Sequence, residues 1–241
     1  MKWIVGCSGF SYKHWKPGFY PQDLPSTKWF EFYCEQFDTV ELNVTFYRFP
    51  TAKTFTGWYN RSPKGFTFSV KAPRLITHYK QLIACEELLK DFYKTCSNGL
   101  AEKLGPVLFQ FPPRFTFTAD RLKRITDNLD PAFTNVVEFR HSSWWNEEAY
   151  TLLKKHHIIF CSQSYPGLPD GIAGKMDKVY YRFHGVPQLY FSEYSNEDME
   201  RIASSITDIK GIKKAWCYFN NDIALAAIRN AKWLQEHGTK K

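Results

Sequence analysis

The amino-acid sequence predicts an α/β protein that folds as a single TIM (β/α)8 barrel over residues 1–241, and three observations support this fold class. The chain has 241 residues, a length at which such a barrel commonly forms one domain. Short apolar runs alternate with longer amphipathic segments, which is typical of βαβ units and a parallel sheet. Eight of the runs have strand character, the number that closes into a TIM barrel.

Each predicted strand is rich in β-branched and aromatic residues, as strands generally are. In chain order the strands are WIVGCSG, TVELNVTF, FTFSVKAP, PVLFQFP, NVVEFRH, IIFCSQS, VYYRFHG and AWCYFNN. Between them lie helical segments with recognisable starts, such as Pro25 and Pro50 just before the first two. These segments are STKWFEFYCEQF, TAKTFTGWYNRS, CEELLKDFYKTCSNGLAEKL, TADRLKRITDNL, NEEAYTLLKKHH, SNEDMERIASSI and NDIALAAIRNAKWLQEH.

Two local signals refine the helix prediction. Ser195 and Asp198 resemble a capping box at the start of one helix, with Asp in place of Glu. The stretch YPGLPDGIAGKMDK after the sixth strand holds two Pro and three Gly. We therefore expect a loop there in place of the sixth helix.

The composition is that of an ordinary globular protein, with 44% apolar and 23% charged residues. The net charge of +8 favours an anionic partner, such as nucleic acid or a phosphorylated metabolite, with simple solubility as the alternative. Six cysteines are scattered without a C-x-x-C pair, so we expect reduced thiols in a cytoplasmic protein. No apolar stretch approaches the ~20 residues that span a membrane, so no membrane partner is expected.

Polar residues within the predicted strands fall on one face. Side chains alternate along a strand, so residues two apart share a face. The pairs that share a strand face are Glu41 with Asn43, Ser69 with Lys71, Glu138 with Arg140, and Arg182 with His184. Gln110 and Asn220 are each the single polar residue on that face of their strand. In a TIM barrel the opposite, apolar face packs against the helices. The polar groups are therefore expected inside, towards the C-terminal ends of the strands, where such barrels place their active sites.

The catalytic candidates are two carboxylates and two imidazoles. Glu41 or Glu138 would act as general base, and His184 or His141 as general acid. The substrate-binding candidates are cations suited to phosphate or carboxylate, amides and loop aromatics. They are Asn43, Lys71, Gln110, Arg140, Arg182, Asn220, Trp15 and Trp144.

Several of these residues have alternative roles that stay open. Buried Glu and Arg could pair purely to specify packing, and Glu41 with Glu138 could be the acid and base of a glycosidase. Lys71 could form a Schiff base. A divalent metal could be held by His141, His184 and the glutamates, but no H-E-x-x-H or comparable spacing supports it, so no cofactor is predicted.

The predicted loops SYKHWKPGFYP, PRLITHYK, SSWW and PQLYFSEYS combine aromatic and basic residues. Their rings could stack on sugars or bases while their cations meet phosphates, although core packing is the alternative for many of the rings. The residues are Trp15, Trp144, Trp145, Tyr79 and Tyr190 with Lys13, Lys16, Arg74 and Lys80.

Six segments together resemble the YecE-like family, known as domain of unknown function 72. They are GCSGFSYKHWKPGFYP, FDTVELNVTFYRFP, FTFSVKAPRLITH, VEFRHSSWW, YYRFHG and YFNND, which span nearly the whole chain. The resemblance implies a TIM barrel with a pocket where these segments converge. It implies no reaction, so no catalytic role is carried over.

These observations lead to three hypotheses about function. The first is an enzyme, a hydrolase or lyase, acting on an anionic or polyhydroxylated small molecule at the C-terminal end of the barrel. The second is a protein that binds or processes nucleic acid through a basic and aromatic rim. The third is a barrel that binds a metabolite without transforming it. The sequence predicts no oligomeric state.

Overall fold

Strands and helices alternate along the chain in this computed structural model, which describes residues 1–238. Within those residues the parallel strands follow chain order in a closed barrel. The strands are β1 (Lys2–Ser8), β2 (Thr39–Leu42), β3 (Thr67–Lys71), β4 (Leu104–Gln110), β5 (Asn135–Glu138), β6 (Ile159–Ser164), β7 (Lys178–Phe183) and β8 (Lys214–Phe219). The predicted (β/α)8 fold class is confirmed.

The helices begin close to the predicted starts. They are α1 (Trp29–Gln36), α2 (Val44–Tyr47), α3 (Ala52–Arg61), α4 (Glu86–Leu100), α5 (Ala119–Asn128), α6 (Glu147–Lys155), α7 (Asn196–Thr207) and α8 (Ala226–His237). The Ser195 hydroxyl accepts a hydrogen bond from the backbone nitrogen of Asp198 at 3.2 Å, so the predicted cap is present. Residues 165–177, between β6 and β7, contain no helix, as expected. Among residues 1–238 no helix has the length and apolar character that a membrane crossing needs.

The second strand is shorter than predicted, which changes the placement of Asn43. The strand ends at Leu42, and Asn43 has helical backbone angles (φ −93°, ψ −17°) at the start of α2. The Thr45 hydroxyl lies 3.0 Å from the carbonyl oxygen of Leu42 and 2.6 Å from that of Lys71, which fixes the turn after the strand. The prediction that Asn43 shares a strand face with Glu41 is therefore wrong.

The chain divides into two compact units. The first unit comprises Met1–Glu41 and the described residues from Ser162 onward, and the second comprises Leu42–Cys161. Residues 239–241 of the predicted domain lie outside the described residues.

In the first unit, β8 lies between β1 and β7. It pairs with β1 from Lys2 opposite Lys214 to Cys7 opposite Phe219, and β1 also pairs with the start of β2. A Cβ atom at Gly6 would lie 2.3 Å from the carbonyl oxygen of Thr39, so only glycine allows the backbones to approach this closely.

In the second unit, β4 lies between β3 and β5, and Gln110 is opposite Glu138 at the ends of β4 and β5. Outside these strands α3 packs on α4, where a Cβ atom at Gly99 would lie 2.4 Å from the Cβ atom of Phe55. The pairing brings the C-terminal ends of β3, β4 and β5 side by side, and polar residues of the predicted site lie at these ends.

Candidate functional site

A buried hydrogen-bonded network joins β2 to β7 in the first unit. Arg182 Nη2 donates to Glu41 Oε1 at 2.6 Å, and the Tyr180 hydroxyl donates to Glu41 Oε2 at 2.5 Å. All three side chains are almost completely buried. Tyr180 and Arg182 are two residues apart on β7 and so share a face. Burial and the Glu41 carboxylate raise the pKa of Tyr180 well above its usual value, so its phenol stays a donor.

His184 extends this network beyond the end of β7. Its Nε2 lies 3.4 Å from Arg182 Nη1, and its Nδ1 lies 3.2 Å from the Asn220 side-chain nitrogen. A guanidinium can only donate, so the contact with Arg182 requires Nε2 to accept, and an amide nitrogen likewise donates to Nδ1. The structure thus brings together the first unit's predicted residues Glu41, Arg182, His184 and Asn220.

A second pair in the same unit, His14 with Asp222, was not among the predicted site residues. His14 Nε2 lies 3.0 Å from the backbone oxygen and 3.1 Å from the carboxylate of Asp222. These residues occupy the loops after β1 and β8. Burial raises the pKa of Asp222, and the Tyr12 ring packs 5.5 Å from the His14 ring. The position of Asp222 directly after the eighth strand was the available signal.

Four cations of the second unit act electrostatically on one histidine, His78. His78 lies in a single π-helical turn, Leu75–Tyr79, with its Nε2 3.4 Å from Gln110 Nε2 and its ring 4.9 Å from the Phe46 ring. Burial first, and then four positive charges, lower the pKa of His78 to about 4. We call these charges the cationic cluster: Lys71, Arg114, Arg140 and Arg74. His78 is therefore neutral at pH 7, and it was not among the predicted site residues.

Glu138 and Arg140 form an ion pair at the end of β5 in the second unit. The side chains are 0% and 8% exposed, so little water screens the pair. Gln110 donates to the backbone oxygen of Phe111 at 2.8 Å and lies opposite Glu138 in the sheet. Lys71, at the end of β3, completes the predicted residues that meet here. Its ammonium lies 4.2 Å from the centre of the Phe46 ring.

His141 and Asn43, also predicted as site residues, lie in turns of the second unit. The His141 Nδ1 accepts a hydrogen bond from the backbone nitrogen of Ser143 at 3.2 Å and lies 2.8 Å from the Ser143 hydroxyl. These contacts give His141 a capping role in a 3-10 turn. Asn43 precedes α2, and its buried amide oxygen has no hydrogen-bond partner among the described residues.

Trp15 and Trp144 were candidates for stacking on a ligand, with core packing as the alternative, and the structure gives both rings the packing role. Both side chains are 0% exposed. Trp15 donates to the backbone oxygen of Asp222, and Trp144 stacks on Phe139 with ring centroids 3.8 Å apart. These rings were adjacent to polar motifs in the sequence, yet their large apolar area is buried in the core.

A metal site is not supported by the residues that the structure describes. Across residues 1–238, no group of three or more His, Cys, Asp or Glu is arranged to hold a metal ion. The arrangement in the second unit is instead suited to an anion. Its cations lie beside an amide and a neutral imidazole, which can contribute hydrogen bonds without adding charge.

Comparison with known proteins gives matches along nearly the whole chain. The family model described as "Protein of unknown function DUF72" matches residues 4–241. UPF0759 protein YunF from Bacillus subtilis is 25% identical over 250 residues, which cover 90% of this chain and 89% of that protein. UPF0759 protein YecE from Escherichia coli is 31% identical over 130 residues, covering 53% of this chain and 47% of that protein.

Solved structures extend the similarity to the fold. The crystal structure of a DUF72 family protein from Thermotoga maritima has a TM-score of 0.87 and 28% sequence identity, and the match covers 98% of both chains. A DUF72 family protein from Enterococcus faecalis has a TM-score of 0.83 at 18% identity, with 98% of this chain and 94% of that chain covered. The names of these relatives describe a family and assign no activity.

Proposed function

This chain belongs to the family described as protein of unknown function DUF72, and we propose that it is an enzyme that binds an anionic small molecule at the cationic cluster around His78. One observation supports the proposal above all. The Lys71 ammonium and the His78 ring both pack on the Phe46 ring, at 4.2 Å and 4.9 Å, and the pKa of His78 is lowered by burial and by nearby positive charge.

The physical reason is the repulsion within the cluster. Like charges held close together destabilise one another, and a bound anion relieves that repulsion. Lys71 and Arg140 are mostly withdrawn from solvent, so their attraction for a ligand is weakly screened. Arg140 can donate two parallel hydrogen bonds to a phosphate or carboxylate. Gln110 and His78, whose side-chain nitrogens lie 3.4 Å apart, are uncharged groups of the same unit.

We assign the chemical step to Glu138 in the same unit. Its carboxylate is buried and held by Arg140, so its orientation is defined before a ligand binds. A positioned carboxylate beside an anion site could take a proton from water or from the substrate, which corresponds to a hydrolase or a lyase. In this proposal Arg140 both positions Glu138 and binds the substrate.

Anion binding can be measured with inorganic phosphate by isothermal titration calorimetry and by NMR of the His78 ring. We expect phosphate to bind at low salt and to raise the pKa of His78, because a nearby negative charge favours imidazolium. Lys71→Met and Arg140→Met should each weaken binding roughly 10-fold or more. Lys90→Met serves as the control, since Lys90 is an exposed lysine of α4. The proposal is wrong if phosphate, sulfate and acetate all leave His78 unchanged.

Catalysis is tested separately with Glu138→Gln and a panel of phosphate and carboxylate esters. We expect this variant to keep its affinity for phosphate and to lose turnover, because the amide cannot accept the proton. If the wild-type protein binds anions and turns over no member of the panel, the non-catalytic metabolite-binding barrel becomes the better hypothesis.

A further inference from the structure

Two exposed tyrosines flank an arginine at the surface of the second unit. Tyr47 lies at the end of α2 and Tyr79 at the end of the π-helical turn, and their side chains are 68% and 65% exposed. The guanidinium carbon of Arg74 lies 5.9 Å from the centre of the Tyr47 ring and 5.6 Å from that of Tyr79. We call these three residues the stacking strip. Large aromatic rings exposed beside a cation mark a surface suited to flat ligands.

The stacking strip continues into the cationic cluster. The Tyr47 ring lies 5.2 Å from the Phe46 ring, edge to face. The Phe46 ring in turn contacts the Lys71 ammonium at 4.2 Å and the His78 ring at 4.9 Å. Arg74 belongs to both groups, since its charge also acts on His78. A ligand on the strip would therefore have its anionic end directed to Lys71.

The backbone on either side of Tyr79 is unusual. Tyr79 ends a π-helical turn, and such turns occur frequently at functional sites. The following residues Gln81, Leu82 and Ala84 have φ angles of 48°, 62° and 46°, which non-glycine residues rarely adopt. Conformations of this kind persist where the surrounding structure over-determines them, and they concentrate at ligand clamps. Arg74 and Tyr79 thus border a backbone segment of this unusual kind.

We infer that the ligand is a nucleotide, with its base stacked on the stacking strip and its phosphate bound by Lys71 and Arg140. This inference rests on the proposed function, because it adds a partner for the base to the same anion site. Aromatic side chains and arginine planes recognise the flat face that every base has. A purine offers the larger face, so we expect purine nucleotides to bind more tightly than pyrimidine nucleotides.

Calorimetry at low salt with three probes isolates the contribution of the base. The probes are inorganic phosphate, ribose 5-phosphate and adenosine 5′-monophosphate. We expect the adenosine nucleotide to bind roughly 5- to 100-fold more tightly than ribose 5-phosphate, the range that stacking of one base provides. Tyr47→Ala and Tyr79→Ala should remove that preference while leaving phosphate affinity unchanged. Tyr47→Phe should keep it, because the ring is retained.

The control variant is Tyr190→Ala, which removes an exposed tyrosine of the first unit. If this variant loses the preference to the same extent, the stacking strip is not responsible and the inference is wrong. Equal affinities for ribose 5-phosphate and the adenosine nucleotide would also overturn it, while phosphate binding would still support the anion site. Failure of every phosphate probe would overturn the proposed function itself. If a 5′-phosphorylated oligonucleotide binds and adenosine 5′-monophosphate does not, the inference of a mononucleotide ligand is wrong and the ligand is a nucleic acid.

Discussion

Arg182 and Glu41 form an ion pair at 2.6 Å that is almost completely buried and joins residues 141 positions apart in the chain. Removing two charges from water is costly, and their mutual attraction offsets that cost only when the remaining hydrogen-bonding groups are also engaged. Tyr180 supplies such a hydrogen bond to the second carboxylate oxygen. The protein should therefore lose less stability when both side chains are replaced than when only one of them is replaced.

A double-mutant cycle tests this relationship. We expect Glu41→Gln and Arg182→Met each to lower the free energy of unfolding by about 3–5 kcal/mol, because each leaves an uncompensated buried group. The double variant should lose much less than the sum, which urea denaturation monitored by circular dichroism would measure. Additive losses would show that the two side chains do not act as a pair.

The titration of His78 predicts a pH dependence of stability. Its pKa is lowered from 6.5 to about 4 by burial and then by Lys71 and the other cations, so the folded state binds the proton less readily than the unfolded state. The contribution of neutral His78 to the free energy of unfolding is fully present above pH 6.5 and is lost as the pH falls towards 4. We expect His78→Gln to flatten the stability curve in this window and Lys71→Met to raise the pKa of His78. An NMR titration showing His78 protonated at pH 6 would contradict this.

Two helical glycines offer a matched test of packing. At Gly99 on α4 an added Cβ would lie 2.4 Å from the Phe55 Cβ, whereas at the exposed Gly57 on α3 it would meet nothing within 4 Å. We expect Gly99→Ala to destabilise, because overpacking costs about 1–3 kcal/mol and the gain in helix propensity is only about 0.5–1 kcal/mol. Gly57→Ala should stabilise by that smaller amount. Thermal unfolding of both variants measures the difference, and equal shifts would refute the packing argument.

The cysteine thiols should be unreactive in the folded protein. Cys7, Cys96 and Cys217 are 0% exposed, and burial raises the pKa of each thiol. Because the thiolate is the reactive form, labelling with Ellman's reagent at pH 8 should be slow in the native state and fast in denaturing urea. Rapid labelling of native Cys7 would show that the first strand is more open than its packing indicates.

Local patterns along the chain predicted much of the fold. Strand character, helix starts such as Ser195 and the loop after the sixth strand depend on residues within a few positions of one another. The end of β2 was predicted less well. There the Thr45 hydroxyl contacts the carbonyl oxygen of Lys71, 26 residues away, and this contact is invisible in a local pattern.

By itself the sequence determined the class of fold and the polar residues carried at the strand ends, because both follow from composition and from the two-residue period of a strand. Only the tertiary structure decided which partner each polar group has. It paired Arg182 with Glu41, lowered the pKa of His78 through burial and nearby cations, and buried Trp15 and Trp144 in the core. Pairing and burial depend on contacts between distant segments, and a side chain's environment is the sum of those contacts rather than a property of its neighbours in sequence.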